Sequence, residues 1–116
     1  MESDVKKYKL VYSHRVREQL LSIKNYIRDS YFSEEAGKNT ANNILLGLER
    51  LKVFPEGGFD ADERVGTAIF PPYHTRCIVL GDYLAFYHIL EDSQTVFISN
   101  ILHSKTDYLR LFKKKD

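Results

Sequence analysis

The chain has 116 residues, 43% of them hydrophobic and 28% charged, with 17 basic against 16 acidic side chains and a net charge of +1. That is enough for one domain, residues 1–116, with one core at about 8–112, and the balance is that of a folded soluble chain rather than a disordered one. It excludes the strong basic excess that usually marks a nucleic-acid binder, and the single cysteine excludes an internal disulfide or a zinc site built on several thiolates.

Met1 to Lys7 reads as a polar leader with no signal-peptide core. No apolar run approaches membrane-spanning length, so the expectation is a cytoplasmic protein without a membrane partner. Tyr8 to Tyr12 (YKLVY) alternates and is rich in strand formers, which predicts a first strand. Ser13 is placed to cap a helix whose apolar stripe is Val16, Leu20, Ile23, Ile27 and Tyr31. Ser33 is a second cap, followed by Glu34 and Glu35, whose charge suits a helix N-terminus. Ala41, Ile44, Leu45, Leu48 and Leu51 carry the stripe of the second helix, and Pro55 stops it. The short link between the helices predicts an antiparallel hairpin.

Glu56 to Pro72 is the least regular stretch and reads as an exposed connection. Its acidic centre, Asp60 to Arg64, lacks the alternating ligands of a calcium loop, so neither a metal nor another cofactor is expected. Thr75 to Leu80 is the next strand, Gly81-Asp82 a two-residue turn, and Tyr83 to Leu90 the strand after it. Asp92-Ser93 marks another turn before a final strand, Thr95 to His103. Cys77 lies in an apolar strand and reads as a small buried hydrophobe, and His88 shares strand parity with Leu84 and Phe86. Thr106 to Lys113 predicts a short helix capped by Thr106, and Lys113-Lys114-Lys115 a solvated basic tail.

Tight turns set a register. Leu80 faces Tyr83, Arg76 faces Tyr87, Tyr87 faces Ile98, and His103 lies beside Asp82. His103, Lys105 and Tyr108 then gather at one end of the sheet, with Arg76 roughly 13 Å along it at the strand rise. A slip of one residue would flip the faces.

Three pieces in this order, YKLVYSHRVREQLLSIKNYI, LERLKVFPEGG and GDYLAFYHI…VFISNILHSKTDYLRLF, resemble the RelE/ParE superfamily of toxins from type II toxin–antitoxin modules. The resemblance covers about Tyr8 to Phe112. It implies an α+β fold of order β-α-α-β-β-β, with a helical hairpin packed on a small, mainly antiparallel sheet and a short C-terminal helix. It also implies a cognate antitoxin as partner, with operator DNA bound only through that antitoxin. The RelE side cuts messenger RNA on the ribosome and the ParE side inhibits DNA gyrase. The RelE-like pattern has a phosphate-binding arginine directly after Gly-x-Tyr, and here Gly81-Asp82-Tyr83 is followed by Leu84. That leucine, the long hairpin and Leu102-His103…Asp107 resemble the ParE side. A nuclease would have to work through His103, Lys105 and Tyr108, with Arg76 or Arg64 on the phosphate and His103 as acid or base. Arg64, Arg76, Asp107 and His74 are the candidate contacts to a target. A degenerate member that only binds its antitoxin is the third reading.

Overall fold

The computed structural model describes residues 7–113, so most of the leader and Lys114 and Lys115 of the basic tail lie outside the described residues. Strand β1 (Lys9–Tyr12) leads into helices α1 (His14–Tyr31) and α2 (Glu34–Leu48). A 3-10 turn at Glu49–Lys52 and another at Pro55–Gly57 then lead to a two-residue strand β2 (Phe59–Asp60) and a one-turn helix α3 (Ala61–Val65). Strands β3 (Arg76–Leu80), β4 (Tyr83–Leu90) and β5 (Thr95–His103) follow, and helix α4 (Tyr108–Phe112) ends the described chain. The five strands form one sheet in the order β1-β5-β4-β3-β2. Every pair is antiparallel except β1 with β5, and the helical hairpin carries the chain from β1 at one edge of the sheet across to β2 at the other.

Both long helices start on the caps the sequence offers. The hydroxyl of Ser13 accepts from the Val16 amide at 3.0 Å, and that of Ser33 from the Ala36 amide at 3.0 Å. Between the helices Phe32 takes the left-handed conformation (φ 51°, ψ 44°), and its amide and that of Ser33 turn back to the Arg28 carbonyl. A non-glycine residue there costs roughly 1–2 kcal/mol. Gly37 lets the two helices approach closely, because a Cβ at that position would run into the Lys24 carbonyl oxygen.

The hairpin packs on one face of the sheet. Val16, Ile44, Leu48 and Leu51 meet Ile78, Leu80, Tyr83, Ala85, Tyr87, Val96, Ile98 and Ile101, with Leu20 and Ile23 against them. From α1 this cluster reaches no further than Ile23. Tyr31, expected on the core stripe, is 68% exposed because the hairpin runs on past the end of the sheet. The other face is covered differently. Leu84, Phe86 and Cys77, with Phe59 and Leu102 beside them on the sheet, pack under Ala61, Ile69, Tyr108 and Phe112, a roof made of loop and short helix.

The stretch at 56–72 is more than a connection. Asp60 caps α3 by accepting from the Glu63 amide at 2.9 Å. The two carboxylate oxygens of Asp62 take the amides of Ile69 (2.9 Å) and Thr75 (3.1 Å), which ties down the loop between them. Gly58 passes so close to β3 that a Cβ would lie 2.5 Å from the Cys77 carbonyl oxygen. Elements as short as β2 and α3 show no periodicity that a sequence pattern could reveal.

The β3–β4 turn has positive φ at Gly81 alone (62°), as a type II′ turn requires. Its register matches the expectation, with Leu80 opposite Tyr83 and Arg76 opposite Tyr87. Along β4–β5 the ladder runs as expected only as far as Tyr87 opposite Ile98. Phe86 then faces Asn100, leaving Ser99 as the extra residue of a β-bulge. The Ser99 hydroxyl donates to the Phe86 carbonyl at 3.2 Å, and its own carbonyl receives the Ser13 hydroxyl at 3.3 Å. From there to the strand end every partner is displaced by one, so His103 stands opposite Tyr83 rather than beside Asp82.

Candidate functional site

The bulge decides where the candidate residues point. Side chains alternate along a strand, so one extra residue carries everything beyond it to the other face. His103 therefore joins Tyr83 on the hairpin side, their rings edge to face with centroids 5.2 Å apart. Its Nδ1 accepts from the Lys105 amide at 3.0 Å, so the neutral ring carries its proton on Nε2. His103 and Lys105 line an open cleft of about 1000 Å³ between α1, from Arg15 to Tyr31, and the end of the sheet. Tyr26, Tyr31 and Tyr83 form much of its wall, with Arg15 and Glu18 on the helix side. Burial pushes the Tyr83 phenol up from its ordinary value, and Asp82, Tyr26 and Tyr31 add to the effect.

Tyr108 lies on the opposite face. Its ring packs edge-on against Phe86 with centroids 5.6 Å apart, and its hydroxyl receives the Arg64 guanidinium at 3.4 Å. Arg64 in turn lies 4.3 Å above the Phe59 ring. The structure thus brings His103 together with Lys105, and Tyr108 together with Arg64, but it does not bring the two pairs to one place. His103, Lys105 and Tyr108 all lie at the expected end of the sheet, but the Ser99 bulge puts His103 on the face opposite Tyr108, so they form no single cluster.

The other candidates are held by the fold. Arg76 donates to the Gly58 carbonyl at 2.8 Å and the Glu56 carbonyl at 3.3 Å, lashing β3 to the preceding loop. Asp107, not Thr106, caps α4, accepting from the Arg110 amide at 3.3 Å. His74 stands between two carboxylates, 3.4 Å from Asp60 and 3.6 Å from Asp62. Leu84 is 6% exposed and sits opposite Leu102 within the second cluster. It offers a phosphate neither charge nor donor. Cys77 is fully buried, and desolvation pushes its thiol up to about 12, so it packs as a hydrophobe. His88 is 7% exposed, stacked on Tyr73 with centroids 4.1 Å apart, and burial lowers its pKa. Among the described residues no three His, Cys, Asp or Glu side chains stand close enough to hold a metal ion, and no helix is long and apolar enough to cross a membrane.

Residues 10–108 match the family described as the ParE toxin of the type II toxin–antitoxin system parDE. The chain belongs to that family. Two solved structures share the fold of this ParE-family toxin. A chain of the chromosomal ParDE toxin–antitoxin system from P. aeruginosa superposes with a TM-score of 0.66 at 15% identity, covering 85% of this chain and 98% of that one. A chain of the archaeal RelE–RelB complex from Pyrococcus horikoshii OT3 gives 0.57 at 15% identity, covering 85% and 97%. No curated protein matches the sequence. The residues that sequence reasoning passed over are Tyr26, Tyr83 and the Tyr31-Phe32 pair. The one available signal was an aromatic pair directly before the Ser33 cap, where a helix usually ends on glycine or asparagine.

Proposed function

We propose that this ParE-family toxin inhibits growth by binding an essential protein, DNA gyrase, and that a cognate antitoxin neutralises it by covering the sheet and hairpin. The observation that carries the choice of mechanism is the division of the candidate residues between the two faces of the sheet. Cleaving RNA through a 2′-hydroxyl needs a base, a phosphate-binding cation and an acid within hydrogen-bond reach of a single phosphate. His103 and Tyr108 pack against rings on opposite faces, Tyr83 and Phe86. Residue 84 is a buried leucine, and the Arg76 guanidinium is engaged by backbone carbonyls. A near-neutral net charge of +1 also suits a protein target better than a ribosome. The antitoxin partner is supported by the two neighbours, which come from a ParDE system and a RelE–RelB complex.

Induction of the toxin in cells, with messenger RNA followed by primer extension and plasmid topology followed on gels, tests the reading. Intact messages with loss of negative supercoiling are expected. Discrete cuts in message with normal supercoiling would replace this reading with the endoribonuclease one. Unaffected growth would leave a protein that only binds its antitoxin.

A further inference from the structure

The far end of the helical hairpin carries apolar surface for which the fold has no use. Phe32 is 94% exposed, and Tyr26 and Tyr31 are each 68% exposed. Phe32 is also the residue in the left-handed conformation between the helices, where glycine or asparagine would fit without strain. A large ring in that conformation and in water adds neither packing nor backbone ease. Stability gives no account of it, whereas contact with another molecule does: aromatic side chains are the common anchors of protein interfaces.

Charge narrows the kind of partner. The Arg28 guanidinium at the tip is tied to Asp29 at 2.9 Å. Glu34 and Glu35 stand exposed in the first turn of α2, beside Phe32, and give the extreme tip a negative rim, with Lys38 one turn back along α2. Such a rim repels phosphates and suits an apolar socket edged with basic side chains. Tyr26 and Tyr31 also line the cleft that reaches Tyr83 and His103, so the tip continues into that concavity.

We propose that the hairpin tip, with Phe32 as its anchor and Tyr26 and Tyr31 beside it, inserts into an apolar, basic-edged pocket of the toxin's protein target. The proposal rests on the reading that the toxin acts by binding a protein. The toxin and its Phe32→Gly, Phe32→Asn and Glu34→Lys/Glu35→Lys variants are compared in three respects: growth arrest on induction, thermal melting, and co-purification with the cognate antitoxin. Loss of an interface anchor weakens binding by roughly tenfold or more. Both Phe32 variants should therefore release growth arrest while melting at the wild-type temperature or above and keeping the antitoxin. Reversal of the rim charge should weaken arrest in the same way.

Full arrest by Phe32→Gly overturns the proposal. So does loss of antitoxin binding together with arrest, which would make the tip the antitoxin's seat. A wild-type dimer that Phe32→Gly converts to monomer would assign the tip to a second copy and also overturn it. Arrest by the wild type with gyrase supercoiling untouched removes gyrase as the target and leaves the tip to stand on the variants. A wild type that arrests nothing overturns both readings.

Discussion

The Tyr87 hydroxyl, buried at the centre of the sheet, donates to the Pro55 carbonyl at 2.7 Å and accepts from the Gly58 amide at 2.9 Å. It thereby fixes the turn that carries the chain from α2 to β2. Tyr87→Phe leaves both backbone groups buried without a partner, and urea denaturation should show a loss of about 1–3 kcal/mol. Cys77 makes a second prediction at this scale. A thiol pushed up to about 12 by burial forms almost no thiolate at neutral pH. Native protein should react very slowly with a thiol reagent, and urea should restore the rate of a free cysteine. His88 supplies the third. Burial holds it neutral, so below its ordinary value near 6.5 the unfolded chain binds more protons than the folded one. Its contribution is complete above that pH and is lost as pH falls through its lowered folded value. Melting temperatures from pH 7.5 to 5 should fall more steeply for the wild type than for His88→Phe, which keeps a ring under Tyr73. Equal slopes would mean that His88 takes no part in the acid response. Neither the two hydrogen bonds of Tyr87 nor the two amides held by Asp62 is legible in the chain, because such bonds join residues apart in sequence.

Among the elements, the hairpins and long helices were legible because their signals are local. Ser13 and Ser33 cap where they were expected to, Gly81 turns where its φ is needed, and Asp92-Ser93 are the central residues of the turn that Gln94 closes onto Glu91. The bulge was not legible, since serine and asparagine mark no particular strand irregularity. Its consequence is large, because it moves His103 to the hairpin face and away from Tyr108. Beyond Ile98, where β1 stops pairing with β5, Gln19 on α1 takes over the exposed strand edge. Its oxygen accepts from the Ile101 amide at 2.8 Å and its amide nitrogen donates to Asn100 at 2.9 Å. Gln19→Ala should cost about 0.5–1.5 kcal/mol in chemical denaturation and speed hydrogen exchange at Ile101, because the freed amide meets water. Unchanged protection at Ile101 would show that this contact does not hold the edge.

For the whole molecule, the order of elements and the family were readable from the sequence, and the convergence of a catalytic site was not. The five-stranded sheet sorts polar side chains by face, and a single inserted residue decides the sorting. One face gives a cleft walled by tyrosines and continuous with the exposed hairpin tip. The other gives Arg64 and Tyr108 over an aromatic cluster. Chemistry on RNA would need groups from both, whereas binding to a protein needs only one surface. The most direct test is growth arrest by the triple variant His103→Ala/Lys105→Ala/Tyr108→Phe, set against the wild type at equal level and with melting temperature checked. Arrest as strong as the wild type's is the expected result. Loss of arrest in a folded triple variant, with Tyr108→Phe alone already abolishing it, would contradict an account in which no catalytic set spans the two faces.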